Sequence, residues 1–185
     1  MLEIVVILLI VMPFVAFGIF YSIFYRISEL DERCEQALND IDIQLRRRHE
    51  LVPGLVSAAV GFVDPENEVL KSVVDARMGA LAAISIDVRM QAEAMHGYWV
   101  GRLLNLGEEF PELTASGQFA ILAKELSDCE DMIAASRRLN IQTITEYNEV
   151  VVQFPERTVA PMFSMQVREF FHISPESGCF ADGRV

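Results

Sequence analysis

Arg46-Arg47-Arg48-His49-Glu50 is the densest cluster of chemistry-bearing side chains in this sequence, with Asp42 one helical turn ahead of it. Successive residues on a helix point about 100° apart, so three arginines in a row cannot form one flat basic patch. At most one or two of them face any single partner. Asp42 and Arg46 are spaced as an i,i+4 acid-to-base pair, worth about 0.2–0.5 kcal/mol on a helix surface. Two readings follow: ion pairing within and between helices, or a docking site for an acidic partner or a second copy of the chain. On the second reading Asp42, Arg46, Arg47, Arg48, His49 and Glu50 are candidate assembly or partner contacts. His49 beside Glu50 raises metal or general-base chemistry, but adjacent residues diverge around a helix and no H-x-x-x-H pair follows. His96 and His172 lie far along the chain. Neither a nucleophile elbow nor a phosphate-cradling glycine loop nor a paired Cys/His set is present, so catalytic, cofactor and metal sites are expected to be absent. Trp99, Phe110 and Phe119 read as core rather than as a ligand box.

These residues must be carried by helices, and the first of them is the most legible. Between Glu3 and Arg26 the chain carries only apolar, aromatic or small residues. Ile4 to Tyr25 would rise roughly 33 Å as an α-helix, enough to span a bilayer core with slight tilt. No Lys or Arg precedes the run and no A-x-A-like site ends it, which argues against a cleaved signal peptide. Pro13 and Gly18 are tolerated in spanning helices, and Tyr21 and Tyr25 suit an aromatic belt. Ile4 and Tyr25 thus mark the expected ends of a membrane span. Arg26, Arg33 and Arg46–Arg48 all follow the span, so the basic-flank rule places the short N-terminus outside and the body in the cytoplasm.

Beyond the span, Ile27, Leu30, Cys34, Leu38, Ile41, Leu45, Val52, Leu55, Ala59 and Phe62 recur at steps of three, four or seven, which nears a coiled-coil heptad. No linker separates this stripe from the span, so one helix from Ile4 to about Val63 is expected, kinked at Pro53. Asp64-Pro65 reads as a helix restart. Leu70, Val73, Arg77, Leu81, Ile84 and Val88 line the next stretch, with a weak point near Ser85–Val88. Trp99, Leu103 and Leu106 form the face of its continuation. Phe110-Pro111 ends it, and Phe119 to Phe154 forms a last long helix stopped by Pro155. The reading is all-α: an N-terminal transmembrane helix (1–25), an elongated bundle of three to four long helices (26–173) and a disordered tail (174–185).

Two stretches go further. Asp42–Val56 fits D-x-Q-L-(K/R)-R-R-x-(D/E)-L-(I/V)-P-x-L-V, and Phe110-Pro111-Glu112-Leu113 fits Y/F-P-x-L. With the N-terminal span and the Tyr147-Asn148 pair, these motifs resemble the LemA family over residues 1 to about 173. An earlier Y-N copy is replaced by Leu139-Asn140. The resemblance implies a bacterial bitopic membrane protein with a cytoplasmic helical bundle.

A net charge of −12 argues against a nucleic-acid partner, which needs a basic face. The three cysteines, Cys34, Cys129 and Cys179, include no C-x-x-C, and two fall on apolar helical positions, as free thiols in a reducing compartment do. The expectation is a structural or scaffolding module in the inner (plasma) membrane. Its partners are the bilayer through the first helix, further copies of itself in a homo-oligomer, and a protein partner. The alternative is a membrane-associated enzyme or quality-control factor using a groove in the bundle.

Overall fold

The computed structural model describes residues 2–64 and 66–169. Every regular element among them is helical: α1 (Leu2–Ala59), α2 (Glu68–Ala82), α3 (Ile86–Glu109), α4 (Pro111–Ala115), α5 (Gly117–Val152), α6 (Glu156–Val159) and a 3₁₀ turn (Ala160–Phe163). The all-α expectation holds. So does the continuity of the apolar N-terminus with the first bundle helix, since α1 runs unbroken for 58 residues.

Pro53 does not end α1. A proline in a helix removes the amide that would bond the carbonyl four residues earlier, here that of His49. Arg77 supplies the missing donor, its Nε reaching the His49 carbonyl at 2.9 Å. The restart at Asp64-Pro65 needs correction. Pro65 lies outside the described residues, and the cap of α2 is Asn67, whose Oδ1 accepts from the Val69 amide at 2.9 Å. Asp64 instead accepts from the Glu66 amide at 2.8 Å, closing a local Asx turn. The helix does break at the expected weak point: α2 stops at Ala82, and Ser85 caps α3 by accepting from the Val88 amide. A hydroxyl cap at Ser85 lets Ile86 and Val88 sit in a first turn rather than in a break. Leu81 near the end of α2, Ile84 in the break and Val88 in the first turn of α3, all on the expected stripe, are exposed.

The helices group into two compact units, residues 2–41 with 136–169 and residues 42–135. In the first, Ile27, Leu30 and Cys34 pack on Ile144, Tyr147 and Val151. The segment after the 3₁₀ turn is clamped by Asn148, which accepts from the Arg168 amide and donates to its carbonyl, both at 2.8 Å. Arg168 then reaches Asp31 and Glu35 and lies over the Tyr147 ring, 5.7 Å from its centroid. The Tyr147-Asn148 pair is thus a fastener for the chain beyond α6. In the second unit, Val52, Leu55, Val73, Leu103, Phe119 and Leu126 form the centre of the core. Trp99 is only half-buried and Phe110 is exposed, because α3 turns Val100 rather than Trp99 fully inward.

Cys34 and Cys129 are buried free thiols, and burial pushes both above the ordinary cysteine value. His172, Cys179 and the expected tail 174–185 lie outside the described residues.

Candidate functional site

The second unit holds a polar network inside its core. Arg48 and His49 come from α1, Arg77 from α2, Glu93 and His96 from α3, and Glu130 from α5. Arg48 is 1% exposed, the largest fully buried side chain among the described residues. Its guanidinium donates to Glu93 Oε2 at 2.5 Å, to the Glu93 carbonyl at 3.1 Å and to Glu130 Oε1 at 3.1 Å. Such a fork matches what arginine offers that lysine cannot. The second Glu93 oxygen, Oε1, lies 2.8 Å from His49 Nε2. Beyond it the His49 ring stacks on His96, with centroids 4.7 Å apart and planes 6° from parallel.

Electrostatics assigns the protons. Burial pushes the Glu93 carboxyl up, but the His49 hydrogen bond and the Arg48 charge outweigh it and hold the group below its ordinary range. Glu93 is therefore ionised, and His49 Nε2 carries the proton between them. His96 is fully buried, near the Arg48 and Arg77 charges as well as the Glu93 carboxylate. Burial first, then Arg48 and His49, push its pKa down to about 3, so the ring is neutral. Neither of its nitrogens has a hydrogen-bond partner among the described residues, nor has His49 Nδ1.

The six residues singled out from the sequence divide sharply. Asp42 pairs with Arg46 at 2.7 Å and bonds Arg89. Burial raises the Asp42 carboxyl, but its two arginines hold it below the usual range. Arg46, Arg47 and Glu50 are exposed. Arg48 and His49 point inward, so they are unavailable as assembly contacts. The sequence reading missed Glu93, whose E-x-x-H spacing to His96 sets both side chains on one face of α3. That i,i+3 pattern is a known way for helices to present metal ligands. His96 lies far from His49 along the chain, and the fold brings it to within 4.8 Å of the ligand atoms of His49 and Glu93.

Gly97 shows how tightly this network is built. A methyl group there would stand 3.0 Å from an Arg48 nitrogen, whereas one at Gly101, a turn further along α3, meets nothing within 4 Å. Alanine gains about 0.8–1.0 kcal/mol over glycine in a helix interior. Gly101→Ala should accordingly stabilise the protein by roughly that amount. Gly97→Ala should destabilise it, because Arg48 is held by three bonds and has nowhere to yield. Urea midpoints of the pair decide; equal gains from both would show that Arg48 moves freely.

These features define a class: an all-helical protein whose first helix carries a segment long and apolar enough to cross a membrane, continued into a bundle with a buried ion network. The chain belongs to the LemA family, whose model matches residues 37–179. No curated protein matches the chain. The Asp42–Val56 motif now has a physical reading: Arg48 and His49 supply the network, Pro53 frees the carbonyl that Arg77 takes, and Leu45, Val52 and Leu55 supply the core.

Proposed function

We propose that this protein is a bitopic inner-membrane module that presents its helical bundle to the cytoplasm, where it acts by self-association and partner binding rather than by catalysis. One observation carries the reading. Along α1, Met12, Phe14, Phe17, Ile19, Tyr21 and Tyr25 are all more than half exposed, with Phe14 at 74%. No soluble helix displays apolar side chains on every face at such length without a second environment to bury them, and lipid is that environment. The apolar segment continues without a break into the rest of α1, which ends at Ala59. Arg26 and Arg33 at its membrane exit favour a cytoplasmic body by the basic-flank rule. Arg46, Arg47 and Glu50 remain exposed for contacts with partners or with further copies.

The full-length protein should stay in the membrane fraction through carbonate and high salt and leave it only in detergent. A reporter at the C-terminus should read as cytoplasmic. Release by carbonate would remove the anchor; a periplasmic reporter would invert the topology. For self-association, mass measurement of the detergent-solubilised protein should give an oligomer, and Arg46→Glu with Arg47→Glu should weaken it while leaving the buried Arg48 untouched. A monomer throughout the micromolar range would overturn the self-association part of the proposal.

A further inference from the structure

We propose that His49, Glu93 and His96 bind one divalent first-row transition ion, with Zn²⁺ as the type, each residue giving one ligand atom. Two imidazoles and a carboxylate suit zinc or iron(II) far better than calcium or magnesium, which take oxygen ligands. The three groups are all buried and their ligand atoms already lie within 4.8 Å of one another.

Independent evidence comes from His96. It is 0% exposed and lacks a partner at either ring nitrogen among the described residues, while facing a carboxylate and a second imidazole. A buried polar group without a hydrogen bond is costly to a fold, and a metal ion would satisfy one of these nitrogens. Glu93 is also prepared. Arg48 holds Oε2 and leaves Oε1 turned toward His49, which is how an outer partner orients a carboxylate to ligate through one oxygen. Neighbouring ligands of a tetrahedral ion with bonds of about 2.0–2.1 Å stand roughly 3.3–3.4 Å apart, so the 2.8 Å between His49 Nε2 and Glu93 Oε1 opens by about half an ångström on capture. The ion takes the place of the proton they share. A second adjustment is required: an ion lies in the plane of each imidazole that binds it, and the two rings are nearly parallel. Capture must turn one ring out of the stack, and turning His96 breaks no hydrogen bond seen among the described residues, whereas turning His49 breaks its bond to Glu93. Because His49, Glu93 and His96 are all buried, the ion would brace α1 against α3 rather than face a substrate.

The test uses the full chain in detergent, stripped with a chelator and then titrated with Zn²⁺ and, separately, with Co²⁺. The expected result is about one ion per chain, an unfolding temperature that climbs with Zn²⁺ concentration, and the intense visible bands of a low-coordinate Co²⁺ with nitrogen ligands. His96→Leu is the informative variant, since it removes a ligand without leaving a buried charge unpaired. It should bind at least about 100-fold more weakly, lose the Zn²⁺-dependent shift, and unfold in chelator no lower than the wild type. His172→Ala should bind as the wild type does. Absence of stoichiometric uptake, or undiminished binding by His96→Leu, would overturn the site. Should His96→Leu fail to fold, the Co²⁺ spectrum decides: weak bands of a six-coordinate, oxygen-ligated ion would overturn it equally.

Discussion

Arg48→Met is expected to lower the stability of the protein by about 3–5 kcal/mol, the usual cost of removing one partner from a buried ion pair. The substitution keeps most of the volume and the apolar stem. What it removes is the donor set that meets Glu93 Oε2, the Glu93 carbonyl and Glu130. Glu93 is 3% exposed at its side chain, so its charge would be left in the core with only His49 to meet it; Glu130, at 31%, can turn to water. The loss should therefore be largely rescued by Arg48→Met combined with Glu93→Gln, because matched uncharged groups replace a buried pair at little cost. Arg46→Met and Arg47→Met, at exposed neighbours on the same turn, should stay within about 0.5 kcal/mol of the wild type. Urea midpoints of the single and double variants make the comparison. A loss under about 1 kcal/mol for Arg48→Met, or no rescue in the double variant, would mean that the pair is not what holds α1 and α3 in register.

Phe119→Ala should cost a similar amount, about 3–5 kcal/mol, for a different reason. The ring is 2% exposed and sits at the start of α5, within the core of the second unit. Gly107 near the end of α3 makes room for it: a methyl group there would come within 3.2 Å of the ring edge and of Thr114 Oγ1, which donates to the Gly107 carbonyl. Both sides of the α3–α5 turn are thus shaped around one aromatic ring, and little is free to collapse into its place. Ile121→Ala, two residues on and 62% exposed, is the control and should cost well under 1 kcal/mol. If the two variants unfold together, the ring is not a core element.

How much of this was legible beforehand differs between the helices and the site. Apolar spacing places Ile27, Leu30, Cys34, Ile41, Leu45, Val52, Leu55 and Ala59 on one face of one helix, and these are buried; Leu38 of the same stripe is half-buried, and Phe62, beyond the end of α1, is exposed. Periodicity is a local property, so one strand of sequence is enough to read it. The phase of α3 was harder. Trp99 is the more conspicuous residue, yet His96, Val100 and Leu103 form the buried row, and only packing against α1 and α2 chooses between neighbouring phases.

The network itself left a trace that hydrophobicity alone does not count. Arg48 stands three residues after Leu45 and four before Val52, filling the one gap in the stripe of α1. Glu93 and His96 stand in step with Val100 and Leu103, and Ser136, Asn140 and Thr143 occupy inward positions of α5 in the same manner. A charged residue on an apolar stripe announces a buried partner without naming it. The sequence by itself therefore determined the helices, the apolar span and the side of α1 that faces inward. Only the tertiary structure decided that Arg48 meets Glu93 and Glu130, that Arg77 meets the carbonyl freed by Pro53, and that His49 stacks on His96. Those partners lie 28 to 82 residues apart, and which faces meet across such distances is set by the packing of whole helices, to which no local pattern refers.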